Sequence, residues 1–106
     1  MKLIRVNVAQ DFSKYPGGRY ESDGPYSAES LRFLILSKIT NVNNQYHLYI
    51  DLDGTVGYAA SFLEEVFSGL IRENVRLPSR LTIKSDEEPY LISEIFQYLF
   101  DALSDF

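Results

Sequence analysis

The feature that most constrains this chain is an alternation repeated three times within 106 residues: a short β-forming stretch, then a helical spacing of apolar residues. Residues 3–8 (Leu-Ile-Arg-Val-Asn-Val) alternate with period two. Residues 46–52 put Leu48, Ile50 and Leu52 on one face and His47, Tyr49 and Asp51 on the other, and residues 80–84 form a third short strand. Helices are expected after each, with stripes Leu31, Leu34, Ile35, Ile39, then Leu63, Val66, Phe67, Leu70, Ile71, then Ile92, Ile95, Phe96, Leu99, Leu103. Ser27 is an N-cap candidate, while Ser61-Phe62-Leu63-Glu64 and Ser85-Asp86-Glu87-Glu88 have capping-box spacing. The alternation predicts an α/β class: a single small layered domain over residues 1–106 with a mostly parallel sheet.

Turn chemistry fills the rest. Pro16-Gly17 fits the centre of a type II turn, which needs φ > 0 at Gly17. Residues 19–21 are expected as a short extra strand, and residues 41–45 as the polar turn that ends the first helix.

Charge narrows the function. The net charge is −5, and its distribution is uneven: residues 1–50 hold six Lys/Arg against four Asp/Glu, residues 51–106 four against eleven. No cationic stripe is present to displace counterions from phosphates, so nucleic acid is not an expected partner. Without cysteine and with His47 as the single histidine, thiolate or multi-imidazole metal sites cannot form, and no metal or cofactor is expected. No apolar run reaches the ~20 residues of a membrane span, and the chain is read as cytoplasmic.

Asp51-Leu52-Asp53-Gly54-Thr55-Val56 resembles the nucleophile motif of haloacid-dehalogenase-type phosphatases, in which Asp51 would attack phosphorus and Mg²⁺ would offset the carboxylates. That chemistry also needs a hydroxyl, a base and further carboxylates from later strands. Only one strand follows, so the hexamer is read as a coincidental match in a non-enzymatic protein. Asp51 and Asp53 are expected to accept loop N–H groups or to pair with Arg19.

A longer pattern gives a different identification. Pro-Gly-Gly-Arg (16–19), Gly-Pro-Tyr-Ser-Ala-Glu-Ser-Leu-Arg (24–32) and the run from Asp51 to Arg72, with Ser61-Phe62-Leu63-Glu64-Glu65 at its centre, resemble the STAS-like family of unknown function. These are small prokaryotic and phage domains related to anti-sigma-factor antagonists. The resemblance implies an α/β domain that works by binding a protein, by analogy a kinase-like ATPase, through a loop and helix N-terminus where a serine can be phosphorylated. Ala59-Ala60 stand where antagonists carry Asp-Ser, so Ser61 is the remaining phosphoacceptor candidate, with a helix cap as its structural alternative. The expected contact surface is the 53–61 loop and the start of the second helix: Asp53, Gly54, Tyr58, Ser61 and Phe62, with Arg19 and Tyr20 from the tyrosine-rich loop. A second reading is an acidic inhibitor, of phage counter-defence or immunity type, that uses the last helix. From Asp86 onward the chain has six acids and no Lys or Arg.

Overall fold

A computed structural model describes residues 1–42 and 45–105. Three parallel strands, β1 (Lys2–Asn7), β2 (Tyr46–Asp51) and β3 (Arg80–Lys84), lie in the order β1-β2-β3. Helices α1 (Ala28–Ile39), α2 (Ala60–Arg72) and α3 (Tyr90–Ser104) follow them in turn. Asn43 and Asn44 of the expected polar turn, and Phe106, lie outside the described residues. The α/β class and the parallel sheet are as the alternation predicted.

The strand period sets the layers. Ile4 and Val6 of β1, Tyr46, Leu48 and Ile50 of β2, and Ile83 of β3 are buried beneath the helices, among which α2 packs against both α1 and α3. The alternate residues form an uncovered face. There Arg5 lies over the Tyr49 ring at 4.8 Å, and His47 Nε2 meets Thr82 Oγ1 at 2.7 Å. A parallel sheet usually has both faces covered; here, apart from exposed Leu3, the alternate positions carry polar or tyrosine side chains, which makes one open face tolerable. His47 therefore has a packing role on that face.

Several local expectations are corrected. Gly17 is not at positive φ; its N–H donates to the Tyr26 carbonyl at 2.8 Å. Its glycine identity serves close approach, since a Cβ there would sit 2.6 Å from the Pro25 carbonyl oxygen. Residues 19–21 form no strand. A 3-10 turn, Glu21–Asp23, starts there instead, because the Asp23 carboxylate accepts the Tyr20 N–H at 2.9 Å. After β1 the chain enters a π-helical turn, Val8–Phe12, held by the Asn7 side chain accepting the Gln10 N–H at 3.0 Å.

Of the three expected caps only Ser27 caps its helix, its hydroxyl accepting the Ser30 N–H at 3.2 Å. α2 begins earlier than Ser61. Its N-cap is Ala59, whose carbonyl accepts the Phe62 and Leu63 N–H groups. The Ser85 hydroxyl donates to the Glu88 carbonyl and leaves α3 to start at Tyr90. The inward stripe of α3 is Leu91, Ile95 and Ala102, flanked by half-buried Ile92 and Leu99, whereas Phe96 and Leu103 are exposed.

Candidate functional site

Parallel strands alternating with helices bring three strand ends and three helix N-termini to one end of the molecule. The loops there are residues 8–27, 52–59 and 85–89. In open α/β sheets this is the end where binding surfaces are built.

The hexamer lies in the middle of it. Asp51 Oδ1 accepts the Asp53 N–H at 2.9 Å, and Oδ2 meets Asn7 Nδ2 at 3.5 Å. Asp53 is more heavily engaged, accepting from Lys84 Nζ at 2.7 Å and from the N–H groups of Asp86 and Glu87 at 3.0 Å each. The Glu87 N–H, and then Lys84, hold the Asp53 carboxyl below its ordinary range, while Asp53 and then Asp86 push the Lys84 ammonium up. The Gly54 N–H completes the link by donating to the Glu87 carboxylate. Among the described residues no group of three or more His, Asp or Glu converges as a metal site. Gly54 (φ 93°) and Gly57 (φ 132°) both occupy the region that favours glycine, which explains the Gly-x-x-Gly spacing.

The next turn of chain is partly core. Tyr58 donates its hydroxyl to the Leu52 carbonyl at 2.7 Å, and burial pushes its pKa up to about 12. Its ring lies 5.8 Å from that of Phe62, which in turn lies 6.4 Å from Phe12, and Phe12 meets Tyr26 edge-on. Phe62, expected on the contact surface, is 0% exposed. It supports the surface from beneath.

Arg19 was expected to pair with Asp51 and Asp53. It is held instead by α2, its guanidinium 2.6 Å from Glu64 and 3.0 Å from Glu65. The carbonyls of Gly18 and Arg19 accept the first N–H groups of α1, those of Ala28 and Glu29, so Pro-Gly-Gly-Arg caps one helix and clasps another. Beneath it lies an ion pair that was not anticipated: buried Arg32 of α1 reaches Glu65 at 2.5 Å and the Glu65 carbonyl at 3.1 Å. Sequence offered one signal for it, namely charges at positions that a helical stripe turns inward.

Ser61 is exposed in the first turn of α2, and Tyr20 is exposed beside the 3-10 turn. The most exposed large hydrophobic residues of this end are Val56, 73% exposed, and Tyr15, 64% exposed. The Val56 N–H donates to the Lys14 carbonyl at 2.9 Å, which joins their two loops.

The clasp has a pH signature. Arg72, and then Arg19, hold the Glu64 carboxyl down to about 2 from its ordinary 4.5. A carboxylate with a depressed folded pKa stabilises the fold at pH above its unfolded value, and that contribution is lost as pH falls toward the folded one. Urea midpoints should therefore fall between about pH 4.5 and 2. In Glu64→Gln that fall should be shallower by about 1 kcal/mol, since solvent screens a partly exposed pair.

The fold and this loop-built end define a small two-layer α/β domain. Residues 27–91 match a family described as a STAS-like domain of unknown function. The chain belongs to that family. The match takes in Arg32, the Asp51–Gly54 corner and the Ser61–Glu65 run, and begins after Pro16–Arg19. No curated protein and no solved structure shows significant similarity to the chain. No helix of the described residues is long and apolar enough to cross a membrane.

Proposed function

We propose that the protein is a non-enzymatic regulatory module that binds a cytoplasmic partner protein through the joined loops at the carboxyl ends of its strands. The observation that carries this reading is the pairing of the two most exposed large apolar and aromatic residues of this end. Val56 and Tyr15 stand exposed on loops tied to each other by a backbone hydrogen bond, above buried Phe62 and half-buried Tyr58. Exposed apolar and aromatic side chains on a braced backbone are what interfaces use as anchors, because little freedom is left to lose on binding. Asp53 and Gly54 shape one loop, Arg19 clasps the other to α2, and Ser61 and Tyr20 lie on the accessible border.

The family resemblance suggests a kinase-like ATPase as the partner. In that case Ser61 is the hydroxyl open to transfer at this end of α2, where helix N–H groups favour added negative charge. Such a partner incubated with ATP should add one phosphate to the wild type and none to Ser61→Ala.

Affinity capture from the native host tests the surface itself. Val56→Asp should weaken recovery of the partner about tenfold or more while leaving the urea midpoint within about 0.5 kcal/mol of wild type. Equal recovery by Val56→Asp and Tyr15→Ala would place the contact elsewhere.

A further inference from the structure

The uncovered face of the sheet is hollowed at its carboxyl end. A cleft of about 400 Å³ opens there, with Arg5 of β1 and Asp11 of the π-helical turn on one side, Tyr49 and Asp51 of β2 in the middle, and Lys84 of β3 opposite. Strand period puts Arg5, Tyr49, Asp51 and Lys84 on this face, because Val6, Ile50 and Ile83 beside them are buried in the core. In open α/β sheets ligands are held at this end of the strands.

Two opposite charges in the cleft are left apart. The Arg5 guanidinium rests over the Tyr49 ring at 4.8 Å and, among the described residues, makes no hydrogen bond or ion pair. Asp51 turns Oδ1 to the Asp53 N–H at 2.9 Å, while Oδ2 has Asn7 Nδ2 at 3.5 Å as its partner. Arg5 is level with Tyr49 in the parallel register, and Asp51 follows two residues further along. That offset sets the Arg5 and Asp51 Cα atoms about 8 Å apart. Lys84 senses the Asp51 charge, yet its ammonium is bonded to Asp53 at 2.7 Å and to Asp86 at 3.0 Å.

The balance of the wall selects the ligand. Arg5 and Lys84 stand against Asp11 and Asp51, two cations against two acids, so the lining carries no net charge. A bare phosphate would meet carboxylates, and a bare cation would meet Arg5. A ligand carrying both signs answers each. Arg5 presents a fork of donors preset by its place over Tyr49, so little freedom is lost when a carboxylate binds. A polypeptide end brings one terminal charge, whereas a free α-amino acid brings ammonium and carboxylate on a single carbon.

We propose that this cleft binds a free α-amino acid, its carboxylate held by Arg5 and its ammonium donating to Asp51. The carboxamides of Asn7 and Gln10 border the same space and suit a polar side chain. The site uses neither Val56 nor Tyr15, so it and the loop surface can be occupied independently.

Isothermal titration of the full chain with each free L-amino acid in turn tests this. At least one with a polar side chain should bind with a dissociation constant below about 1 mM. Its N-acetyl and its C-terminal amide derivatives should each lose binding, because each lacks one of the two charges. Arg5→Gln and Asp51→Asn should each weaken binding about tenfold or more. Asparagine keeps an oxygen for the Asp53 N–H, and circular dichroism verifies that both variants fold. Val56→Asp should bind like wild type. The proposal is overturned if no amino acid binds, if either derivative binds as well as its parent, or if Arg5→Gln binds like wild type. The derivatives are titrated into the wild-type protein, so that arm stands whatever the variants do.

Discussion

Glu65→Ala is expected to destabilise the fold by about 3–5 kcal/mol, the cost of removing one partner from a buried ion pair. Arg32 is 6% exposed and delivers its guanidinium to a carboxylate that is itself buried, with Glu73 as a more distant second acid at 3.4 Å. Alanine at position 65 would strand that cation between α1 and α2 and would also take one acceptor from Arg19. The guanidinium already has one buried nitrogen, Nε, without a hydrogen-bond partner, so it has little margin for losing another. Removing both charges is a different case. Arg32→Met combined with Glu65→Leu should recover much of the stability lost in the single variant, because a packed apolar pair needs no desolvation of charge. Guanidinium midpoints of the three proteins check this, and a single-variant loss below about 1 kcal/mol would sink it. Gly69→Ala probes the same contact from the other side: its new Cβ would lie 2.6 Å from Arg32 Nη1 and 3.0 Å from its Cδ. A buried, doubly bonded side chain cannot easily yield, so about 1–3 kcal/mol is expected.

This pair also marks how far the sequence could be read. Strand and helix order followed from periodicity, which is local: β3 was expected at residues 80–84 and is found there, and the α2 stripe is buried throughout. The Ser27 cap was legible for the same reason. Three things depend on contacts between distant segments and carried only faint local signals. The first is the cap of α2, where the chain enters the helix from the glycine loop at Ala59 and passes the expected Ser61. The second is Arg19, which Pro-Gly-Gly aims at α2 and not at the Asp51–Asp53 corner. The third is the α3 face. A helix lying at the edge of a three-stranded sheet has core on one narrow side only, so Phe96 and Leu103 fell on the wrong side of a stripe that periodicity alone made too wide. Part of the motif that carried the family resemblance braces the fold, with Arg19, Arg32, Glu64 and Glu65 forming one connected set of ion pairs.

Phe62→Ala is expected to cost about 3–5 kcal/mol, and its consequence for binding needs separating from its consequence for folding. The ring is 0% exposed and lies between Phe12 and Tyr58, with centroids at 6.4 and 5.8 Å. Deleting it opens a cavity under both loops of the candidate surface, because Phe12 leads to Tyr26 and the Tyr58 hydroxyl holds the Leu52 carbonyl. Loss of a partner in this variant would therefore report a collapsed platform, whatever the surface itself contributes. Phe62→Leu resolves the ambiguity: as a smaller apolar replacement it should lose no more than about 1.5 kcal/mol and retain the partner. Val56→Asp should do the reverse, keeping its stability and losing the partner. If Phe62→Leu folds with a wild-type midpoint yet no longer binds, then the ring must leave the core to make contact, and the end of the molecule that carries it is a mobile element and not a braced surface.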